Sequence, residues 1–383
     1  MKSNLTPEII TWLEEAKEEA CALLEELCLI PAPSHYEDER AAFVKAWLEN
    51  VGAKGVYIDE AKNVVFPLNC EERSDLICFE AHTDTVFPME TPLSFTKDEE
   101  NFYCPGIGDD TANLVNMLMV VKYILQKGIK PRRGVLFVAN SCEEGLGNLK
   151  GTRQIFKDYE GRIQRFVTFD GYYTAVTCKS VGSHRYEILS KTEGGHSWSR
   201  FGNTNAIIEL ARLIGELSSI PLPQKEGAKT TFNVGLIEGG TSVNTIAQNA
   251  SMLYEYRSDD AGCLAYMEKA FKEKIEAFRK KTKAEIQVTV VGERPCGEAK
   301  DAAVHREMIL RCKEISEHYS GRACAVTSGS TDCNIPLSLG IPAVCPGILL
   351  GGKAHTREEF VNIESMTVGL KIGAEIILDY FEV

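Results

Sequence analysis

The hydrophobic positions of the first 180 residues predict a helix followed by strands and helices in alternation. Thr6-Pro7, with leucines at helical spacing behind it, predicts a helix that closes at Pro31. Short apolar runs then predict strands, with helix-like stretches between them. The predicted strands are Asn63–Pro67, Leu76–Glu80, Gly134–Ala139 and Arg165–Phe169, and the predicted helices are Asn113–Gln126 and Asn148–Lys157. This pattern indicates an α/β fold whose sheet is covered on both faces.

The pattern changes near Val181 and returns after Pro295. Between them we predict strands Arg185–Lys191, Thr230–Ile237, Ser251–Arg257 and Glu285–Val291, with helices Ala206–Leu217 and Ala265–Lys281. The last part predicts helices Val304–Tyr319 and Ser365–Leu378 and strands Ala323–Thr327 and Ala343–Val344. We therefore expect residues 1–180 and 295–383 to form one α/β domain, with residues 181–294 inserted as a smaller α+β domain.

Composition places the chain among ordinary globular proteins. It has 383 residues, of which 44% are hydrophobic and 25% charged. The net charge of −13 argues against binding to nucleic acid or to an anionic membrane. No apolar run approaches the roughly 18 residues of a membrane helix, and the acidic start does not resemble a signal peptide. Thirteen cysteines without a CxxC pair indicate reduced thiols. We expect a cytoplasmic protein.

Histidine and acidic residues follow several of the predicted strands. His82 and Asp84 come directly after the strand Leu76–Glu80, and residues i and i+2 of an extended chain share a face. His82 is a candidate metal ligand, with Asp84 accepting the hydrogen bond of its other ring nitrogen. A buried structural His–Asp pair is the alternative.

Four further groups occur in similar places. Asp109 and Asp110 follow a glycine-rich loop, and Glu143 and Glu144 follow the strand Gly134–Ala139. The remaining two candidates are Asp170, at a strand end, and His355, after a second glycine-rich loop. Taken singly, the aspartates could cap a helix and the glutamates could lie in a solvated loop. As a set, these residues favour a catalytic metal site in the crevice beyond the strand ends.

The set is sufficient for two divalent ions that share Asp109. The proposed ligands are His82, Asp109 and Asp170 for one ion, and Asp109, Glu144 and His355 for the other. Three protein ligands leave each ion an open position, as catalytic sites require. Glu143 would then be the general base that takes a proton from water.

In order and rough spacing, these motifs resemble the M20 family of metallopeptidases. Within that family they look most like the peptidase T (tripeptide aminopeptidase) branch. The resemblance implies a zinc-binding catalytic domain with two Zn²⁺ per subunit, interrupted by a dimerisation (lid) domain that forms a homodimer. It assigns the same roles to the ligands, to Glu143 and to Asp84, and it implies a cis peptide bond between Asp109 and Asp110.

The inserted segment carries its own resemblance to the family. Gly194-Gly195-His196-Ser197 resembles the lid motif whose histidine hydrogen-bonds the developing oxyanion in the partner's active site. Asn244 and Arg257 match positions that bind a substrate carboxylate, which the planar fork of arginine suits. An exposed lid histidine, and an ion pair of Arg257 with Asp259 or Asp260, are the alternatives.

Three residues depart from the family pattern, and they affect the expected substrate rather than the metal set. Thr111 and Asn113 stand where many members have Lys and Gly, and Trp198 stands where the lid motif often has Gly. The expected activity is removal of the N-terminal residue from short peptides. An N-acyl-amino-acid amidohydrolase or a carboxypeptidase-like member is the alternative, and a non-catalytic binding module is a remote one. Cobalt or manganese could replace zinc in a His/carboxylate site.

The remaining candidates receive ordinary structural interpretations. Cys142, beside Glu143, is expected to be a buried thiol rather than a nucleophile, because no neighbouring residue in sequence would lower its pKa. His35, His184, His305 and His318 lack companions in sequence and are expected to lie at the surface.

Overall fold

The structure is a computed structural model that describes residues Ser3–Val383. The chain divides into two compact units. The larger unit contains the residues up to Ser180 together with Glu298–Val383, and the smaller unit is Val181–Gly297. Each unit is described separately below.

The secondary structure alternates throughout the larger unit. In chain order the helices are α1 (Pro7–Glu15), α2 (Lys17–Cys28), α3 (Asp38–Asn50), α4 (Ala112–Lys127), α5 (Lys150–Asp158), α6 (Ala206–Ser218), α7 (Ala261–Arg279), α8 (Ala302–Ser320), α9 (Asn334–Ser338) and α10 (Ile363–Leu378). The strands are β1 (Tyr57–Ile58), β2 (Val64–Leu68), β3 (Leu76–His82), β4 (Thr96–Lys97), β5 (Asn101–Tyr103), β6 (Val135–Asn140), β7 (Ile163–Thr168), β8 (Ala175–Ser180), β9 (Gly182–Lys191), β10 (Gly195–His196), β11 (Thr230–Gly239), β12 (Thr245–Ile246), β13 (Asn249–Ser258), β14 (Glu285–Arg294), β15 (Ala325–Gly329), β16 (Ala343–Pro346), β17 (Gly351–Gly352) and β18 (Phe360–Asn362).

The larger unit is built on an eight-stranded sheet in the order β1-β2-β6-β3-β7-β16-β8-β15. Its centre, β6-β3-β7-β16, is parallel, whereas β2 runs antiparallel to β6 and β8 runs antiparallel to β16. Every residue of β3 is buried. Ile77 and Phe79 belong to the hydrophobic core on one face of the sheet, and Leu76 and Cys78 belong to the core on the other. The predicted α/β class, with a sheet covered on both faces, is confirmed.

A second, four-stranded sheet of the larger unit has the order β17-β18-β5-β4. Its strands are antiparallel and only two or three residues long. The turn between β17 and β18 carries His355, and Glu359 directly precedes β18. This small sheet therefore positions the last part of the candidate site.

The smaller unit is an antiparallel sheet in the order β11-β13-β9-β14, with α6 and α7 packed on it. Tyr186, Tyr254 and Phe271 stack in its core, with the ring centres of Tyr186 and Phe271 4.2 Å apart. Side chains of β11 are half-buried or exposed along its whole length. The predicted four strands and two helices of the inserted segment are all present.

Two features of the larger unit differ from the prediction. The single helix expected from Pro7 is divided into α1 and α2 at Ala16, although backbone hydrogen bonds continue through Ala16 in both directions. Helix α3 was not predicted, because its buried side carries Arg40 and its apolar periodicity is therefore broken. Within residues 3–383, no helix combines the length and hydropathy that a membrane span needs.

Candidate metal centre

The predicted site residues of the larger unit follow three adjacent parallel strands. His82 ends β3, Glu143 and Glu144 lie shortly after β6, and Asp170 lies two residues after β7. Because parallel strands end at the same edge of a sheet, these side chains meet beyond that edge. All of them except Asp170 are buried, and Asp170 is half-buried.

Asp109 contacts a different histidine with each of its carboxylate oxygens. Its Oδ1 lies 3.1 Å from Nε2 of His82, and its Oδ2 lies 3.1 Å from Nε2 of His355. The same nitrogen of His355 is 3.0 Å from Oε1 of Glu144. One carboxylate therefore stands between the two sets of ligands that the sequence predicts.

The donor atoms form groups of a size that suits divalent ions. Within each of three groups, the ligand atoms lie within 4.8 Å of one another. Two groups match the predicted sets: His82, Asp109 and Asp170; and Asp109, Glu144 and His355. The third group is His82, Glu143 and Glu144. Imidazole nitrogen and carboxylate oxygen, three to a group, are the donors of catalytic zinc sites, so the residues fit a pair of zinc ions.

The electrostatics of the site reflect its excess of carboxylates. Burial lowers the pKa of His82, but Asp110, Asp109 and Asp84 outweigh burial and raise it well above the ordinary value. Hydrogen bonds to Asp109 and Glu144 raise the pKa of His355 to about 10. Without another cation, both imidazoles hold protons against the carboxylates, and a bound metal ion would replace this positive charge.

Asp170 responds in the opposite sense to the histidines. Burial and the negative charge of Asp109 raise the pKa of Asp170 to about 7. A carboxylate in this position favours a nearby positive charge, because such a charge would offset both effects. This is the electrostatic behaviour expected of a metal ligand seen with its metal absent.

Asp84 holds the Glu143-Glu144 segment as well as His82. Nδ1 of His82 lies 3.0 Å from the backbone oxygen of Asp84 and 3.5 Å from its carboxylate. That carboxylate accepts hydrogen bonds from the backbone N–H groups of Glu143 and Glu144, both at 3.0 Å, and from Ser34 Oγ at 2.6 Å. The predicted support of His82 thus comes at the shorter distance from the main chain, and the side chain fixes the loop that carries the candidate base.

Glu359 is a site residue that the sequence did not reveal. Its buried carboxylate accepts hydrogen bonds from the N–H groups of Gly106, Gly108 and Asp109 at 2.8–2.9 Å. Burial and the charge of Asp109 raise the pKa of Glu359 to about 7. Glu359 therefore holds the loop that presents Asp109. The pair Glu358-Glu359 four residues after His355 was the only signal, and acidic pairs are common in loops.

The residues that depart from the family pattern brace the same loop. Thr111 donates its hydroxyl hydrogen bond to the backbone oxygen of Gly106 at 2.7 Å. Asn113 donates to Asp110 Oδ1 at 2.6 Å and accepts from the N–H of Ile348 at 2.8 Å. The peptide bond between Asp109 and Asp110 is cis, as the resemblance implied.

Cys142 is buried beside groups that keep it a thiol. Burial, followed by the charge of Glu37, raises the pKa of Cys142 to about 12. His35 Nδ1 lies 3.3 Å from its sulfur, a neighbour that the sequence did not indicate. Glu37 also accepts a hydrogen bond from the N–H of Cys142 at 3.0 Å. A thiol held in this way is not a nucleophile, as predicted.

The three lid candidates lie in the smaller unit. His196 is exposed, and its Nδ1 accepts from the N–H of Trp198 at 3.2 Å. Asn244 is exposed next to β12, which pairs with the strand of His196. Arg257 makes a two-pronged ion pair with Glu255, at 2.9 and 3.0 Å. Its partner is therefore Glu255, and the predicted pairing with Asp259 or Asp260 was wrong.

Two of the remaining histidines are less exposed than predicted. His184 is buried, and Tyr256 Oη lies 2.9 Å from its Nδ1, so its expected surface position was wrong. Its neighbours belong to the buried aromatic core of the smaller unit, a long-range contact that sequence spacing does not reveal. His305 is half-buried, with Nε2 2.8 Å from the oxygen of Ala343, whereas His35 and His318 are exposed as expected.

The sequence profile of peptidase family M20/M25/M40 matches residues 78–379. The chain therefore belongs to this family, and it is a metallopeptidase. It is 22% identical over 357 residues to carboxypeptidase G2 of Pseudomonas sp. (strain RS-16), covering 88% of this chain and 82% of that protein.

Two crystal structures share the fold over almost their whole length. A tripeptidase of Staphylococcus aureus subsp. aureus Mu50 is 23% identical, with a TM-score of 0.74 over 94% of this chain and 97% of that one. Aminopeptidase PepT of Bacillus cereus ATCC 10987 is 20% identical, with a TM-score of 0.69 over 95% and 99%.

Proposed function

We propose that the chain is a di-zinc aminopeptidase of the peptidase T type, which removes the N-terminal residue from short peptides. One observation carries this proposal: each oxygen of Asp109 contacts a different histidine, and each histidine belongs to its own group of three donors. A bridging carboxylate between two such groups is the arrangement that a pair of metal ions requires. The likeness to a tripeptidase and to aminopeptidase PepT supports the choice of substrate.

The chemistry divides between the metal ions and the side chains. The ions would be held by His82, Asp109 and Asp170, and by Asp109, Glu144 and His355. When bound, zinc supplies Lewis acidity that polarises a carbonyl group and lowers the pKa of water.

Glu143 is the proposed general base. Its carboxylate would take a proton from the attacking water and deliver it to the amine that leaves. Its backbone N–H is held by Asp84, so the base has a fixed attachment beside His82 and Glu144. Burial of Glu143 excludes bulk water from the proton it carries.

The smaller unit would contribute substrate contacts. His196 would donate a hydrogen bond to the developing oxyanion, and Asn244 and Arg257 would bind the substrate carboxylate. For Arg257 this requires its guanidinium fork to exchange Glu255 for the substrate. We further propose that the enzyme is a cytoplasmic homodimer that associates through this unit. Zinc is the proposed native metal, and cobalt and manganese are the competing ones.

Carboxypeptidase G2 makes a second activity worth testing. The sequence relation to that protein favours a family member that cleaves at the other end of a peptide, or that releases an N-acyl group. The amide chemistry at the metals would be the same, and only the pocket would differ.

A substrate panel separates these activities. The zinc-loaded enzyme is assayed on free tripeptides, on N-blocked peptides and on N-acetyl amino acids, with and without a chelator. We expect cleavage of free tripeptides at the first bond, lost with chelator and restored by added zinc. Cleavage of N-blocked substrates alone would reject the aminopeptidase. Occupancy near two metals without hydrolysis of any substrate would favour a binding module.

A further inference from the structure

A cleft of the larger unit lies at the edge of the eight-stranded sheet opposite to the candidate metal centre. Its volume is about 400 Å³. Arg133 stands just before β6, and Arg165 is the third residue of β7, so both lie near the amino ends of parallel strands. The metal candidates follow the carboxyl ends of the same strands. Strands of six residues separate the two edges by roughly 20 Å.

Four arginines line this cleft in a chain whose net charge is −13. Arg311 is neutralised, because its guanidinium bonds to both oxygens of Asp379 at 2.9 Å and to Glu375 at 2.5 Å. The other three are Arg132, Arg133 and Arg165. Among residues 3–383, none of these three has a carboxylate within the 4.0 Å of an ion pair. The cleft therefore concentrates positive charge that the described protein does not neutralise.

Arg133 and Arg165 share one aromatic ring. Their guanidinium carbons lie 5.7 and 5.9 Å from the ring centre of Tyr380. Burial, and then the positive charge of Arg165, lower the pKa of Arg133. Two like charges held beside the same ring repel each other, and an anion between them would remove that repulsion.

We propose that this cleft binds a phosphate-type oxyanion, either inorganic phosphate or the phosphate group of a small phosphorylated molecule, through Arg133 and Arg165. The charge of a phosphate dianion matches two guanidinium groups, and the planar fork of arginine binds phosphate oxygens in pairs. The apolar side of the cleft, formed by Val167, Met308 and Ile376, suits the uncharged part of an ester. This site is independent of peptide hydrolysis and of its metals.

The first test is thermal unfolding of the metal-loaded enzyme at constant ionic strength. Potassium phosphate is compared with potassium chloride, and isothermal titration gives the dissociation constant. Saturating phosphate should raise the melting temperature by roughly 2–4 °C, because a ligand that binds only the folded state stabilises it. Glycerol phosphate and acetate are titrated in parallel, to separate esters and carboxylates from free phosphate.

Variants locate the response in the molecule. Arg165→Gln and Arg133→Gln should each weaken phosphate binding by at least about tenfold, since each removes charged hydrogen bonds. If Arg133→Gln does not fold, Arg165→Gln and Arg165→Lys carry the test. The matched control is Arg212→Gln, which removes one exposed positive charge in the smaller unit and should leave binding unchanged.

Phosphate also binds zinc, so the metal centre needs its own control. Asp109→Ala should remove the metals and retain the melting-temperature rise caused by phosphate. The proposal is overturned if phosphate acts no differently from chloride, if Arg165→Gln responds as the wild type does, or if Asp109→Ala abolishes the response. Acetate binding as tightly as phosphate would replace the phosphate site with a carboxylate site.

Discussion

The candidate residues of the two units differ in how firmly the fold holds them. In the larger unit, the backbone of Asp109 is fixed by Glu359, and that of Glu143 and Glu144 by Asp84. In the smaller unit, His196 and Asn244 are exposed. The metal centre is therefore organised before any ligand arrives, whereas the lid residues need a substrate or partner to define their geometry.

The same comparison applies to charge. Around Asp109 the carboxylates outnumber the histidines, and the raised pKa of His355, at about 10, shows that this cluster favours a positive charge. Arg257 already has a carboxylate, because Glu255 occupies both prongs of its guanidinium. The larger unit lacks a cation, and the smaller unit must release a side chain before it can bind an anion. Substitutions in the two units should consequently act on different steps.

The largest effect is expected from removing the shared carboxylate. Asp109→Ala takes one ligand from each predicted metal group, so both ions should be lost and turnover should fall by at least about 10⁴-fold. Elemental analysis of the purified variant measures occupancy, and Asp158→Ala, an exposed carboxylate in the same unit, is the control. Normal occupancy in Asp109→Ala would remove its bridging role.

Glu143→Ala should separate catalysis from metal binding. Because Glu143 is the proposed base rather than a ligand, the variant should keep about two metals and lose about 10³-fold in kcat. Elemental analysis and peptide turnover on the same sample give both quantities. A variant with substantial activity, or one that has lost its metals, would contradict the assignment of Glu143.

The sequence predicted the metal centre well because its residues follow strands. His82, Glu143 and Asp170 each stand at the end of an apolar run, and the parallel pairing of β3, β6 and β7 is sufficient to bring them together. Glu359 escaped prediction because it acts through hydrogen bonds to a loop 250 residues earlier in the chain. No local pattern encodes such a contact.

The fold was predicted where periodicity was strong. The buried strand β3 and the helix α4 are evident from their apolar residues, whereas α3, with Arg40 on its buried side, is not. Arg40 is satisfied by backbone oxygens of Ile30 and Thr83. A buried cation that is neutralised by distant carbonyl groups resembles a surface residue in sequence.

Glu359→Gln should have a smaller effect than either substitution above. The amide retains one acceptor oxygen but presents N–H groups to a loop that already donates three, so the backbone of Asp109 should shift. Support of this kind is typically worth about 10–100-fold in metal affinity. Competition with a chelator measures that affinity. Glu358→Gln, the exposed neighbouring residue, is the matched control and should bind zinc as the wild type does.

The smallest effect is expected in the lid unit. Arg257→Lys keeps the charge but loses the fork, so KM for a free tripeptide should rise about 3–10-fold with little change in kcat. A tripeptide amidated at its C-terminus lacks the carboxylate and should show no difference between the two enzymes. Glu255→Gln weakens the ion pair that competes with substrate, so its KM should stay level or fall. Equal KM values for wild type and Arg257→Lys on the free peptide would leave Arg257 as a structural partner of Glu255.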